Sequence, residues 1–150
     1  MPDTPDTSAV SSASVLGFDF GTRVIGVAVG NRLTGARALT TVGNGDAPDW
    51  VRLDALIGEW RPARLIVGLP LMLDGSEQAM TRAARAFGDA LAARYRIDVA
   101  LVDERLTSHE AGRRFAARRA AGSAKRKHAA EIDAIAAEVI LENWLASADA

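Results

Sequence analysis

The stretch "SVLGFDFGTRVIGVAVGN", Ser14 to Asn31, constrains the fold more than any other part of the chain. Two apolar runs, Val15–Phe20 and Val24–Gly30, flank a three-residue break, "GTR" (21–23). Runs of this length, interrupted by a glycine, read as two strands of a tight hairpin. Ala36–Val42, after the "NRLTG" turn, reads as a third strand. Alternation along the first strand puts Leu16, Phe18 and Phe20 on one face and Val15, Gly17 and Asp19 on the other. Both faces therefore need a covering layer, and one of them carries an acid. An acid near a strand end either faces water or holds a cation beside the glycine turn.

The rest of the pattern supplies the layers. "GNGDAPDW" (43–50) reads as a loop, and Trp50–Trp60 as a helix with Trp50, Leu53, Leu56 and Ile57 on one face. "RLIVGLP" (64–70) is a short continuous apolar run closed by Pro70, the pattern of a buried parallel strand. Ser76–Tyr95 is helical in pattern, and "IDVALVDE" (97–104) is another buried strand. Thr107 followed by Glu110 is a candidate capping box for a helix to about Ala120. "AGSAKRKH" (121–128) reads as a basic loop. Ala129–Leu145 reads as a helix with Ile132, Ile135, Ala136, Val139, Ile140 and Trp144 on one stripe. This order predicts an α/β fold: a mixed five-stranded sheet, made of a three-strand antiparallel meander and then βαβ crossovers, with helices on both faces.

A length of 150 residues with 49% hydrophobic content suits one domain, expected over 15–146, with tails at 1–14 and 147–150. "MPDTPDTSAVSSAS" lacks the basic start and apolar stretch of a signal peptide. No run approaches the roughly 20 apolar residues of a membrane helix. The expectation is a soluble cytoplasmic protein without a membrane partner. The absence of cysteine excludes a disulfide framework and a thiolate metal site. Aromatic residues at 5% argue against base-stacking platforms. The net charge of −1 hides an asymmetry: Arg105 to His128 holds six Arg and two Lys against one acid, Glu110. All the lysines lie in "KRK", 125 to 127. Such a segment is either a solvated face or a docking surface for phosphates.

Three carboxylates stand at costly or well-aimed positions. Asp19 is near the end of the first strand. Glu104 ends the last strand, and ligands of open α/β sheets collect beyond the carboxyl ends of strands. Asp103 points to the face opposite Glu104, so one of the two enters a given site. Asp133 falls in line with Ala136, Ile140 and Trp144 on the helical wheel, whereas Glu131, Glu138 and Glu142 fall far around from it. A lone acid on a core stripe is expensive without a partner, either an Arg or a shared divalent cation. Three such acids suit one or two Mg²⁺ ions, which prefer oxygen ligands and can drive phosphodiester cleavage.

At "GFDFGTRVIGVAV" (17–29), "LIVGLPLMLDGSE" (65–77), "LVDERLTSHEA" (101–111) and "KRKHAAEIDAIAAEVILENWL" (125–145) the sequence resembles the YqgF family, also called RuvX-type Holliday-junction resolvases or pre-16S rRNA nucleases. The resemblance runs from Val15 to Leu145. It implies an RNase H-like fold and a nuclease that processes the 5′ end of pre-16S rRNA. The alternatives it leaves are resolution of four-way DNA junctions and a non-catalytic nucleic-acid-binding module. It implies Asp19, Glu104 and Asp133 as the catalytic and metal-binding set, with one or two Mg²⁺ or Mn²⁺ ions. The nucleic-acid contacts expected with it, to structured RNA or branched DNA, are Arg23, Arg105, Arg113, Lys125, Arg126 and Lys127, in a monomer or homodimer. Two positions depart from the family pattern: Met72-Leu73, where the family often has Asn-Met, and Gln78, near which it often has Gly. "DFGT" (19–22) also resembles the phosphate hairpin of sugar kinases and actin-like ATPases. Those need two such domains, and the chain shows no GxxxxGK[ST] loop.

Overall fold

A computed structural model describes residues 13–105, 107–120 and 130–147. In chain order the elements are β1 (Val15–Phe20), β2 (Val24–Asn31), β3 (Gly35–Gly43), α1 (Trp50–Trp60), β4 (Arg64–Leu69), α2 (Ala79–Tyr95), β5 (Val99–Asp103), α3 (Thr107–Ala120) and α4 (Ala130–Leu145). The strands form one sheet in the order β3-β2-β1-β4-β5. The meander β1–β2–β3 is antiparallel, and β4 joins β1 and then β5 in parallel. This is the expected mixed sheet, with β1 at its centre.

A central strand is buried on both faces, which is why β1 reads as almost continuous apolar sequence. Leu16, Phe18 and Phe20 face α1 and α2, packing with Leu53, Leu56, Ala84, Phe87 and Leu91. Phe18 meets the Phe87 ring edge-on at 5.7 Å, and Phe20 lies 4.9 Å from the same ring. On the other face Val15 packs with Ala137, Ile140, Leu141 and Trp144 of α4. The helix α3 sits outside α4, with Phe115 against Ile135 and Ala136.

Three local expectations are corrected. The helix α2 begins at Ala79, not Ser76, because Ser76 closes a turn on Asp74, its N–H at 2.8 Å and its hydroxyl at 2.6 Å from Asp74 Oδ1. Gln78, one of the departures from the family pattern, sits at the head of α2: its amide donates to the Pro70 carbonyl at 2.9 Å and its backbone N–H to Thr81 Oγ1 at 3.1 Å. Ile132 is 37% exposed and stands off the buried stripe of α4. Glu138 is 4% exposed, although the wheel places it away from that stripe. The wheel assumes one buried side, whereas α4 lies between the sheet and α3, so residues 134–141 are all buried. The "KRK" segment and residues 1–12 lie outside the described residues. Among the described residues no helix is long and apolar enough to cross a membrane.

Candidate active site

Asp19 projects from the α4 face of β1. Its register partner across the β1–β2 ladder is Gly26. A Cβ at Gly26 would overlap the backbone carbonyl of Asp133, so the first turn of α4 lies directly on β2 at this point. Only a residue without a side chain permits that approach. On the other side of β1, a Cβ at Gly68 of β4 would collide with the Glu104 carboxylate. Glu104 extends the β4–β5 pairing, its N–H donating to the Leu69 carbonyl at 3.1 Å. Of the two glycines flanking Asp19, Gly26 thus makes room for the backbone of α4 at Asp133 and Gly68 for the Glu104 carboxylate. Sequence reasoning missed both; the signal was a glycine inside each of the apolar strands "VIGVAVG" and "RLIVGLP".

The electrostatics follow from this crowding. Burial first, and then the Asp133 charge, push the Asp19 carboxyl up to about 6. Burial, the charge of Asp19 and a hydrogen bond with Asp19 push Glu104 up to about 8. Each of the two carboxyls therefore raises the cost of ionising the other. Burial also raises the Asp133 carboxyl. Glu104 Oε2 is buried and accepts no hydrogen bond. Asp103, by contrast, is held low by Arg105, whose Nε donates to it at 2.7 Å and whose N–H does so at 3.0 Å. Asp103 therefore serves the Arg105 side chain and Glu104 alone turns to Asp19.

Among the described residues no three Asp, Glu or His side chains stand ready-made as a cation cage. The three acids are linked through Asp19. The donor set is all carboxylate, suited to Mg²⁺ or Mn²⁺, and the orphaned Glu104 oxygen has an unmet demand for a positive partner. The residues fit a divalent cation on those grounds.

The basic candidates divide. Arg23 is exposed in the β1–β2 turn, which is pinned by Gly21 N–H to the Val24 carbonyl at 3.0 Å and by the Asn44 amide to the Gly21 carbonyl at 2.7 Å. Arg105 bonds Asp103 and reaches the Leu73 carbonyl at 3.3 Å, tying the β4–α2 loop to the end of β5. That loop turns at Gly75 (φ +88°) and leaves Leu73 82% exposed. Arg113 pairs with Glu110, yet its side chain remains 66% exposed. Lys125, Arg126 and Lys127 fall outside the described residues. Beyond Asp103 and Arg105 a cleft of about 680 Å³ opens, lined also by Arg114, Val139 and Asn143.

The fold is that of RuvC. Thermus thermophilus RuvC in complex with Holliday junction substrate superposes with a TM-score of 0.56 at 15% identity, over 88% of this chain and 93% of that one. A second Thermus thermophilus RuvC structure gives 0.54 at 18% identity, with the same coverage. The sheet is thus the RNase H-like one that the resemblance implied. Relatives include proteins named "Putative pre-16S rRNA nuclease" from Xanthomonas euvesicatoria pv. vesicatoria, 48% identical over 97% of this chain and 96% of the relative, and from Xylella fastidiosa strain M23, 51% identical over 97% and 94%. The family described as RuvX, Holliday junction resolvase, matches residues 13–147, and the chain belongs to that family.

Proposed function

We propose that this chain is a metal-dependent nuclease that hydrolyses phosphodiester bonds in the 5′ processing of pre-16S rRNA in the cytoplasm. One observation supports the reading: the buried Asp19, near the carboxyl end of the central strand, is raised by the Asp133 charge and itself raises Glu104, whose carboxylate fills the space beside Gly68. Clustering like charges in a half-buried site costs stability and serves no packing purpose. The names of the relatives supply the substrate.

Asp19, Glu104 and Asp133 would hold one or two Mg²⁺ or Mn²⁺ ions. When bound, such an ion would supply activation of a water and neutralisation of charge on the phosphate oxygens. Each acid would bind the ion as a carboxylate, so uptake is expected to be linked to pH. Arg23 and Arg105 stand at the same end of the sheet as the acids and would hold the strand by its phosphates. Arg113, Lys125, Arg126 and Lys127 would extend that contact along the basic segment.

Four-way DNA junctions are the second reading, favoured by the description of the family and by the RuvC fold. The test is incubation with labelled precursor rRNA and with a synthetic four-way junction, each with Mg²⁺ or Mn²⁺. Metal-dependent cleavage at the 5′ side of the mature 16S sequence is expected. Cleavage of the junction alone selects the second reading. Binding of either substrate without cleavage under any metal leaves a non-catalytic module and overturns both.

A further inference from the structure

The buried acid Glu138 plays no part in the site as described. It lies on α4 between the sheet and α3. Its Oε1 accepts the backbone N–H of Ala38 at 2.9 Å. Ala38 stands at a bulge in β3, where Val27 faces Thr40, Ala28 faces Ala38 and Leu39 is the extra residue. Its Oε2 accepts Arg114 Nη1 and Arg118 Nη2, each at 2.8 Å. Arg114 goes on to Glu142 of α4 at 2.6 Å and Glu110 of α3 at 3.0 Å. One carboxylate therefore ties a strand and two helices together.

The apolar contact beside it is small. Among the described residues Phe115 is the one buried apolar side chain of α3, against Ile135 and Ala136. Paired, directional charges select one register of α3 on α4 more sharply than non-directional apolar contact does. That register matters because of what lies at the two helix starts. The helix α3 begins at Thr107, just after Glu104, and Asp133 is in the first turn of α4. A displacement of α3 along α4 moves Glu104 against Asp133.

We infer that Glu138 is a positioning residue for the acidic site: its ionic node with Arg114 and Arg118 fixes the spacing of Glu104 and Asp133. The inference rests on the nuclease reading above. Sequence periodicity gave no hint of it, since the partners are 20 and 24 residues away on another helix.

The test compares wild type with Glu138→Gln, which keeps the acceptor for Ala38 and removes the charge. Mn²⁺ affinity is measured by calorimetry on metal-free protein, and kcat and KM on cleaved RNA. About a tenfold loss in Mn²⁺ affinity and about a tenfold fall in kcat are expected, with KM little changed, as for supporting residues behind a metal ligand. Should Glu138→Gln fail to fold, Arg118→Gln, which leaves Arg114 on Glu138, is read by the same two quantities. A variant that melts earlier yet keeps wild-type Mn²⁺ affinity and kcat is merely destabilised, and overturns the positioning role while the nuclease reading stands. Wild-type protein that neither binds Mn²⁺ nor cleaves overturns the nuclease reading and this role with it.

Discussion

The two faces of the central sheet are built on opposite principles. Against α1 and α2, β1 presents Leu16, Phe18 and Phe20, and the gap is filled by rings and branched chains. Against α4, the same strand presents Val15, Gly17 and Asp19, with Gly26 and Gly68 on either side of the acid. One face maximises buried apolar area. The other gives up side-chain volume, at Gly26 to the backbone of α4 and at Gly68 to the Glu104 carboxylate. Stability and chemistry are thus separated by the thickness of a single strand, and neighbouring residues in the sequence belong to different tasks.

Phe18 and Asp19 make the sharpest test of that separation. Asp19→Asn is expected to lower cleavage by at least about 100-fold, the scale of losing one aimed charge in a site. Its metal-free melting temperature should hold or rise, because burial and Asp133 both oppose the charge removed. Phe18→Ala should do the reverse: a loss of about 3–5 kcal/mol in unfolding free energy, with near-normal turnover per folded molecule. Unfolding curves and single-turnover cleavage on both variants decide it; Asp19→Asn with undiminished cleavage breaks the comparison.

Gly26→Ala comes next. Its methyl must displace the Asp133 carbonyl, so α4 shifts and a destabilisation of about 1–3 kcal/mol, the range for overpacking, should accompany a fall in cleavage. Gly43→Ala, with open space around the added Cβ, is the control and should leave both measurements unchanged.

A smaller effect is set by pH. Asp19 and Glu104 bind protons more tightly folded than unfolded, where carboxyls titrate near about 4. Their contribution is fully present below that value and is lost as pH rises through about 6 and about 8. Metal-free protein should therefore melt at a higher temperature near pH 5 than near pH 8, and Mn²⁺ should narrow the gap. Asp54, held down to about 2 by Arg94 and Tyr95, titrates below this window. A flat melting profile without metal would show that the acids are not crowded as described.

The smallest change in chemistry belongs to the basic segment. Replacing Lys125, Arg126 and Lys127 with Ala should weaken binding of all sequences alike and flatten its salt dependence, each phosphate contact contributing a log–log slope of about −0.7 on single strands. Turnover at saturating substrate should stay within a few-fold. An unaltered salt slope in filter-binding titrations would remove the segment from the interface.

The sheet was legible in the sequence because its strands are apolar runs of the right length between turn residues, and because β1 alternates cleanly around Asp19. Asp19 and Asp133 drew notice because each interrupts such a pattern, one in a strand and one on an apolar stripe; the family resemblance joined Glu104 to them. What the sequence concealed depends on long-range partners. Gly26 and Gly68 look like weak points in strands until the helix and carboxylate that occupy their space are known. Glu138 looks solvated on a wheel that cannot foresee α3 covering the far side of α4. The basic run reads as a solvated face or a docking surface, yet Arg114 and Arg118 turn inward to Glu138 and Arg113 pairs with Glu110 on its own helix.

The parallel pairing of β1 with β4 has a consequence in time. The antiparallel meander closes through short connections, but Phe18 waits for Val67 to complete the centre of the sheet. Glu104 arrives later, and Asp133 only with the last helix. Contacts between distant parts of a chain form slowly, so the hairpins precede the acidic cluster. Asp133, carried by the helix that ends the order, is therefore expected to join Asp19 and Glu104 last, after the apolar layer against α1 and α2 has formed.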